Sequence, residues 1–224
     1  MTYKNPEKIK EMFNSIANRY DFINGIISFG THRYGKKQAI KDLPVLPHDA
    51  EILDLCTGTG DLAFFLKNSG HVTGLDFSKN MLALASKKVP EVRFVEGDCT
   101  HLPFEDETFD LVTMGFGLRN IENSDLALDE IVRVLKPEGL FLHLDFSKTN
   151  PAGDFVFDRI VPFLVRIFYN NTVPYNYLVK SKQEYFNPQE LVEKFQSHGL
   201  KYVTQKYYSL GMMCATVMKR QTTR

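Results

Sequence analysis

Near the start of the chain, Ile9, Met12, Phe13, Ile16 and Tyr20 recur at spacings of three and four. That is the period of a helix with one apolar face, and it predicts a helix over 7–23. "INGIISFGTHRYGKK" (23–37) is glycine-containing and predicts a loop leading into another short helix. From residue 51 the pattern changes to short apolar runs alternating with helical stretches. "EILDLCTGTG" predicts a strand and a glycine loop, "DLAFFLKNSG" a helix closed by Gly70, "HVTGLDFS" a second strand and "KNMLALASKKV" a second helix. "VRFVEGD" and "FDLVTMGFG" supply strands three and four. "SDLALDEIVRVLKPEG" predicts a helix capped by Ser124 and closed at Pro137, and "LFLHLDFS" a fifth strand. Such alternation predicts an α/β fold, its sheet mostly parallel with helices on both faces. Ligands of these sheets sit at the carboxyl ends of the strands, near the switch point.

The tail follows a different pattern. "DFVFDRIVPFLVRIFYNNTVPYNYL" (154–178) is rich in aromatics and interrupted by Pro162. "NPQELVEKFQSHGL" predicts a capped helix, and "KYVTQKYYSL" with "MMCATVMKR" a final strand pair joined around Gly211. A chain of 224 residues suits one domain with a substantial core.

Composition narrows the function. Lys+Arg and Asp+Glu balance at 27 each, so no overall basic field draws the chain to nucleic acid. Cys56, Cys99 and Cys214 make no CxxC pair and no even disulfide set, which predicts a reducing, cytoplasmic setting. The six histidines form neither HxxxH nor HExxH, so no metal site is expected. The N-terminus has no continuous apolar segment and predicts no signal peptide. Nor does any run of about 18 uncharged apolar residues predict a membrane span.

"LDLCTGTGD" sets Gly58 and Gly60 directly after the first strand, where backbone amides can approach a ligand. Three carboxylates accompany them: Asp54 in strand one, Asp76 at the end of strand two and Asp98 after strand three. A carboxylate at the end of strand two suits a ribose diol, and one after strand three an adenine amino group. Asp54 could orient the glycine loop or meet a ligand's ammonium. Taken singly, each aspartate also reads as a helix cap or turn residue, Asp76 with Ser78 especially. "GTGDLA" fits the dinucleotide pattern as well, leaving an NAD-linked oxidoreductase open. The only Tyr-x-x-x-Lys, "YVTQK" (202–206), falls in a strand-like segment. S-adenosylmethionine (SAM) fits better, because its sulfonium suits an acidic pocket and it brings no phosphate.

"ILDLCTGTGD", "GLDFSKNML", "GDCTHLPFEDETFDLV" and "EIVRVLKPEG" resemble successive motifs of class I SAM-dependent methyltransferases. "NRYDFINGIISFGTHR", "GFGLRNIEN", "LDFSK" and "YNYLVKSKQEYFNPQEL" resemble the narrower ubiquinone/menaquinone-biosynthesis C-methyltransferases (UbiE/MenG family), over about residues 11 to 218. The resemblance implies a Rossmann-like sheet with an antiparallel C-terminal strand. It divides the single domain 1–224 into an N-terminal helical cap (1–45), a cofactor-binding core (46–148) and substrate-side helices with final strands (149–224). The implied activity is C-methylation of a prenylated benzoquinol or naphthoquinol, SAM becoming S-adenosylhomocysteine (SAH). Another small apolar acceptor is the alternative. Candidate cofactor residues are Asp54, Gly58, Thr59, Gly60, Asp76, Phe77, Asp98, Cys99 and Gly115. The family usually has Ser in place of Gly115, Trp in place of Gly35 and Gly in place of Glu138. The first two departures are expected to face the cofactor or substrate.

The chain lacks the Asn/Asp-Pro-Pro-aromatic motif of base-amino methyltransferases and has "GFGLRN" at the end of strand four. Ring-carbon methylation needs a base for a quinol hydroxyl, a cation near the resulting phenolate and a dry pocket. Arg119 suits the phenolate, and His32, with an ordinary pKa of about 6.5, suits the base. Tyr20, with Asp21, could hold the cofactor or relay a proton. The plainer readings are that Arg119 caps or salt-bridges the following turn, that His32 bonds to backbone in a loop, and that His143 is a satisfied core residue. The aromatics of 155–169 read as the packing of a kinked helix, or as a lid for a polyprenyl tail with Arg159 and Arg166 toward lipid. A quinol that partitions into bilayer also implies weak peripheral contact with the inner face of the membrane, and homodimerisation is compatible with the whole.

Overall fold

The computed structural model describes residues 5–27, 30–147, 159, 173–209 and 211–222, and gives only the backbone path for 18–24, 26–27, 173–176 and 178. The apolar alternation resolves as β1 (Glu51–Leu55), β2 (His71–Asp76), β3 (Arg93–Glu96), β4 (Phe109–Gly115) and β5 (Leu135–Phe146). The 3.6-period segments become α1 (Pro6–Ile27), α2 (Thr31–Lys41), α3 (Asp61–Leu66), α4 (Lys79–Lys88) and α5 (Ser124–Val134). A 3-10 turn (Leu118–Asn120) follows β4. The tail supplies α6 (Val173–Gln183), α7 (Pro188–Ser197), β6 (Leu200–Tyr208) and β7 (Met213–Arg220).

The sheet order is β3-β2-β1-β4-β5-β7-β6. β1 to β5 pair in parallel, and β7 runs antiparallel between β5 and β6, as the resemblance implied. Alternate residues feed opposite faces. Leu53, Leu55, Val112, Met114 and Phe141 pack with Leu128 and Ile131 of α5 and Phe195 of α7. Ile52, Leu111, Leu142 and Leu144 pack with Ala39 of α2 and Leu62, Ala63 and Leu66 of α3. Strand order reverses at β1, flanked by β2 and β4, which opens the crevice at their carboxyl ends.

Several boundaries differ from expectation; α3, for one, ends at Leu66, short of Gly70. The segment 23–37 is mostly helical: α1 runs on to Ile27 and α2 starts at Thr31, after Gly30 at φ 74°. Asn123, rather than Ser124, caps α5, its side chain accepting from the Leu126 amide. That helix stops at Val134 rather than Pro137. Proline disfavours helical backbone at the residue before it, and Leu135 turns extended to pair with Phe109. Asn187 caps α7 reciprocally with Glu190, as the sequence suggested. No helix among the described residues is long and apolar enough to cross a membrane.

Candidate active site

Cys56, Gly58 and Gly60, at φ 53°, 55° and 79°, coil the chain tightly between β1 and α3. Asp54 holds that coil from below. Its buried carboxylate accepts from Thr57 Oγ1 (2.5 Å), Thr113 Oγ1 (2.7 Å) and the Ala63 amide at the start of α3. Burial pushes its carboxyl up to about 6 despite these donors. Asp54 therefore orients the glycine loop, and all three of its donors belong to that loop, to α3 and to β4 rather than to the cleft.

Asp76 lies on the cleft itself. One oxygen accepts from the Gly58 amide and the other from the Ser78 amide, each at 2.9 Å, and the Phe77 amide is a third donor. A carboxylate has about four acceptor positions, so capacity remains toward the cleft. Asp98, exposed at its rim, accepts from the Thr100 amide (2.9 Å). Gly58, Phe77, Cys99 and Gly115 also line the cleft, while Thr59 is buried behind the loop and Gly60 packs against Ala85. Pro6, Ile9 and Phe13 of α1 form a roof, and Leu75, Met81, Ile121 and Leu126 complete apolar walls around about 1070 Å³, part of it open to solvent. Cys56 faces Cys99; their mutual hydrogen bond and burial push the Cys56 thiol well up.

The loop after β4 presents Gly115, Phe116, Gly117 and Asn120 to the cleft. A Cβ on Gly117 would come within 2.7–2.8 Å of Cys56, so only glycine lets these two loops meet. Arg119 points away from the cleft. It is buried and ion-paired with Asp145 near the end of β5, with its guanidinium carbon 5.6 and 5.1 Å from the ring centres of Phe116 and Phe146. The salt bridge thus crosses to the next strand, not to the following turn. Tyr177 of α6 donates to Asn120 Oδ1 (3.1 Å), and Asn120 Nδ2 donates to the Phe116 carbonyl (3.1 Å).

His32 lies on α2, not in a loop. Its Nε2 is 3.7 Å from Asp61 Oδ2, in a cluster where Lys36 (2.9 Å) and Lys88 (2.5 Å) hold the same carboxylate. The Tyr20 side chain and the aromatic segment 155–169 lie outside the described residues; Arg159 is exposed. His143 is buried against Tyr185 (Nε2 to OH 3.1 Å), and burial with nearby Arg119 lowers it to about 3, the state of a core residue. Gly35 does not face the cleft. A Cβ there would meet the Met213 side chain at 2.8 Å, so Gly35 packs against β7. Gly115 does line the cleft, and a side chain there would press on Leu62 at 2.6 Å. Cys56, Gly117, Asn120 and the roof of α1 were not singled out from sequence. The glycines and asparagine of "GFGLRN" carried a signal for part of that set; nothing local marked α1.

Comparison with known proteins bears on this geometry. The model of the ubiE/COQ5 methyltransferase family matches residues 1–219. The demethylmenaquinone methyltransferase of Lactiplantibacillus plantarum is 39% identical over 222 residues, covering 92% of this chain and 93% of that protein. That of Lysinibacillus sphaericus is 39% identical over 217 residues, covering 92% of each. Among solved structures, a SAM-dependent methyltransferase of Thermotoga maritima has a TM-score of 0.69 at 21% identity, covering 94% of this chain and 99% of that one. A SAM-dependent methyltransferase of Aquifex aeolicus has a TM-score of 0.61 at 17% identity, covering 82% and 88%. These two show the shared fold. The matches run against the NAD-linked alternative, and the chain belongs to the ubiE/COQ5 methyltransferase family.

Proposed function

We propose that this enzyme moves a methyl group from SAM to a ring carbon of a prenylated quinol, with demethylmenaquinol, a naphthoquinol, as the acceptor to test first. The relatives' names support the acceptor. The observation that carries the donor is Asp76, a buried carboxylate at the end of β2 with acceptor capacity toward an apolar cleft. The residues present fit SAM: Asp76 would hold the ribose diol, Asp98 the adenine amino group, and Met81 with Leu126 the adenine faces. The donor set is acidic and apolar, as a sulfonium nucleoside requires. Bound there, SAM supplies an electrophilic methyl group. Asp54, Thr59 and Gly60 act from behind by shaping the loop, while Gly58, Phe77, Cys99 and Gly115 form its inner surface. On the acceptor side Arg119 supplies positive charge for a phenolate. Tyr20 and His32 belong to the same reading, although His32 would have to leave Asp61 to serve as base.

We read the chain as one domain, with cap, core and substrate-side portions at 1–45, 46–148 and 149–224. Cytoplasmic location, peripheral contact with the inner membrane face and homodimerisation belong to the same proposal. Liposome sedimentation and light scattering check the last two.

The test is SAH titration calorimetry alongside a methyl-transfer assay with a reduced demethylmenaquinone analogue. Asp76→Ala is expected to weaken SAH about 10- to 100-fold, the effect of losing charged hydrogen bonds. Failure of the wild type to methylate any reduced naphthoquinol or benzoquinol would overturn the reading.

A further inference from the structure

Four carboxylates are buried among the described residues: Asp54, Asp61, Asp76 and Asp145. In the first three both oxygens accept hydrogen bonds: from Thr113 and Thr57, from Lys88 and Lys36, and from Ser78 and Gly58. Asp145 breaks the rule. Its Oδ1 accepts from Arg119 Nη1 and the Phe146 amide, but Oδ2 has no hydrogen-bond partner among the described residues. The same is true of Arg119 Nε. Asp145 is 1% exposed and Arg119 4%. An unsatisfied oxygen on a buried charge is costly, and where every comparable group is satisfied the exception calls for a reason, of which a catalytic role is one. The pair offers one spare donor and one spare acceptor, the complement of a hydroxyl group.

Position supports the same conclusion. Gly115, Phe116 and Gly117 line the donor cleft, and two residues on the chain delivers Arg119 to Asp145. The pair therefore lies at the carboxyl ends of β4 and β5, on the far side of a thin loop from the cleft. Resting on the methyl-transfer reading above, we infer that Asp145, in place of His32, which is held at Asp61, is the proton acceptor for the quinol hydroxyl, with Oδ2 as the accepting atom. The O–H bond breaks toward Oδ2 and its electron pair stays on oxygen, reaching the ring carbon. That carbon takes the methyl group as the S–C bond breaks, with the electron pair remaining on sulfur. The ring carbon then releases its own hydrogen as a proton to solvent, and the oxygen regains the proton held by Asp145. One proton is released per methyl transferred.

The titratable and charged groups that face Asp145 are Arg119 from the 3-10 turn, His143 on its own strand, Cys214 on β7 and Tyr185 after α6; Tyr177 on α6 faces Arg119. His143 is neutral above about 3, Cys214 keeps its proton to about 11 and Tyr177 to about 12, and burial holds Tyr185 well up. Burial raises Asp145 itself, Arg119 offsetting part of the rise. Burial also raises Asp54, to about 6, and Asp76, so an acidic limb is assigned to Asp145 only where Asp145→Asn removes it.

The experiment compares wild type, Asp145→Asn and Asp145→Glu at saturating SAM with the reduced demethylmenaquinone analogue across pH 5–9 (about that range brackets ordinary acid–base catalysis). SAH affinity and melting temperature are measured in parallel. Asp145→Asn is expected to lose about 10²- to 10⁴-fold in kcat while binding SAH like the wild type. Its residual rate should rise in proportion to hydroxide concentration, because the substrate must then ionise in solution. Asp145→Glu should restore the acidic limb and most of the rate. Asp145→Asn with near-wild-type kcat, or with a slower profile of unchanged shape, overturns the assignment. So does loss of the acidic limb in His32→Gln but not in Asp145→Asn. Absence of turnover in the wild type is a separate result, and it sinks the methyl-transfer reading together with this one.

Discussion

Asp61, the first residue of α3, is gripped by lysines from two other helices, Lys36 of α2 and Lys88 of α4. Burial alone would raise its carboxyl, but the two ammonium groups more than offset it and hold it well below the usual range. A depressed folded value means stability that is fully present above 3.8 and lost as pH falls through the folded value. Asp61→Asn leaves buried Lys36 without its counter-charge, so it should cost about 3–5 kcal/mol near neutral pH. Thermal melts should show the gap to wild type narrowing below pH 3.8; a constant gap would refute the electrostatic cause. None of this was legible locally. "GTGD" announced a glycine loop, but the partners of its aspartate stand 25 and 27 residues away. His32 was readable as a titrating group, yet its neighbour is this same carboxylate and not the cleft.

At the scale of elements, α1 was readable from its apolar spacing, but its task as a roof over the cleft was not. Amphipathic period says that one face is buried, and not against what. The contacts are specific. Ser78, which caps α4, donates to Asn14 Oδ1 at 2.6 Å, and Lys10 pairs with Glu96 at 3.3 Å. Asn14→Ala should loosen the roof and speed SAH release about 2- to 10-fold, the range of one net hydrogen bond. Stopped-flow displacement measures it, and an unchanged off-rate would show that α1 does not gate the cleft. The α5–β5 junction shows the opposite balance. Pro137 correctly signalled a helix end, but the pairing of Leu135 with Phe109 moved the end forward to Val134.

For the whole molecule, the strand order puts β1 between β2 and β4, so loops from separate stretches of chain converge on one cleft. A ligand that binds there stabilises only the folded state. SAH at about 100 times its dissociation constant should add about 2.7 kcal/mol. For a chain this long that corresponds to a rise of about 5–10 °C in Tm, readable by calorimetry. Asp76→Ala should shrink that rise, and a full rise in the variant would remove Asp76 from the cofactor site. The alternation of strands and helices, the glycine loop and the three aspartates near successive strand ends were all readable from residue order. Those features follow from backbone period and from local steric rules, which act within a few residues. The closed fold was needed to settle which aspartate faces the cleft and which braces the loop, that Gly35 packs against Met213, and that Arg119 turns from the cleft to Asp145. A charged group's role depends on the partner that shares its burial, and that partner is chosen when distant strands close into one sheet.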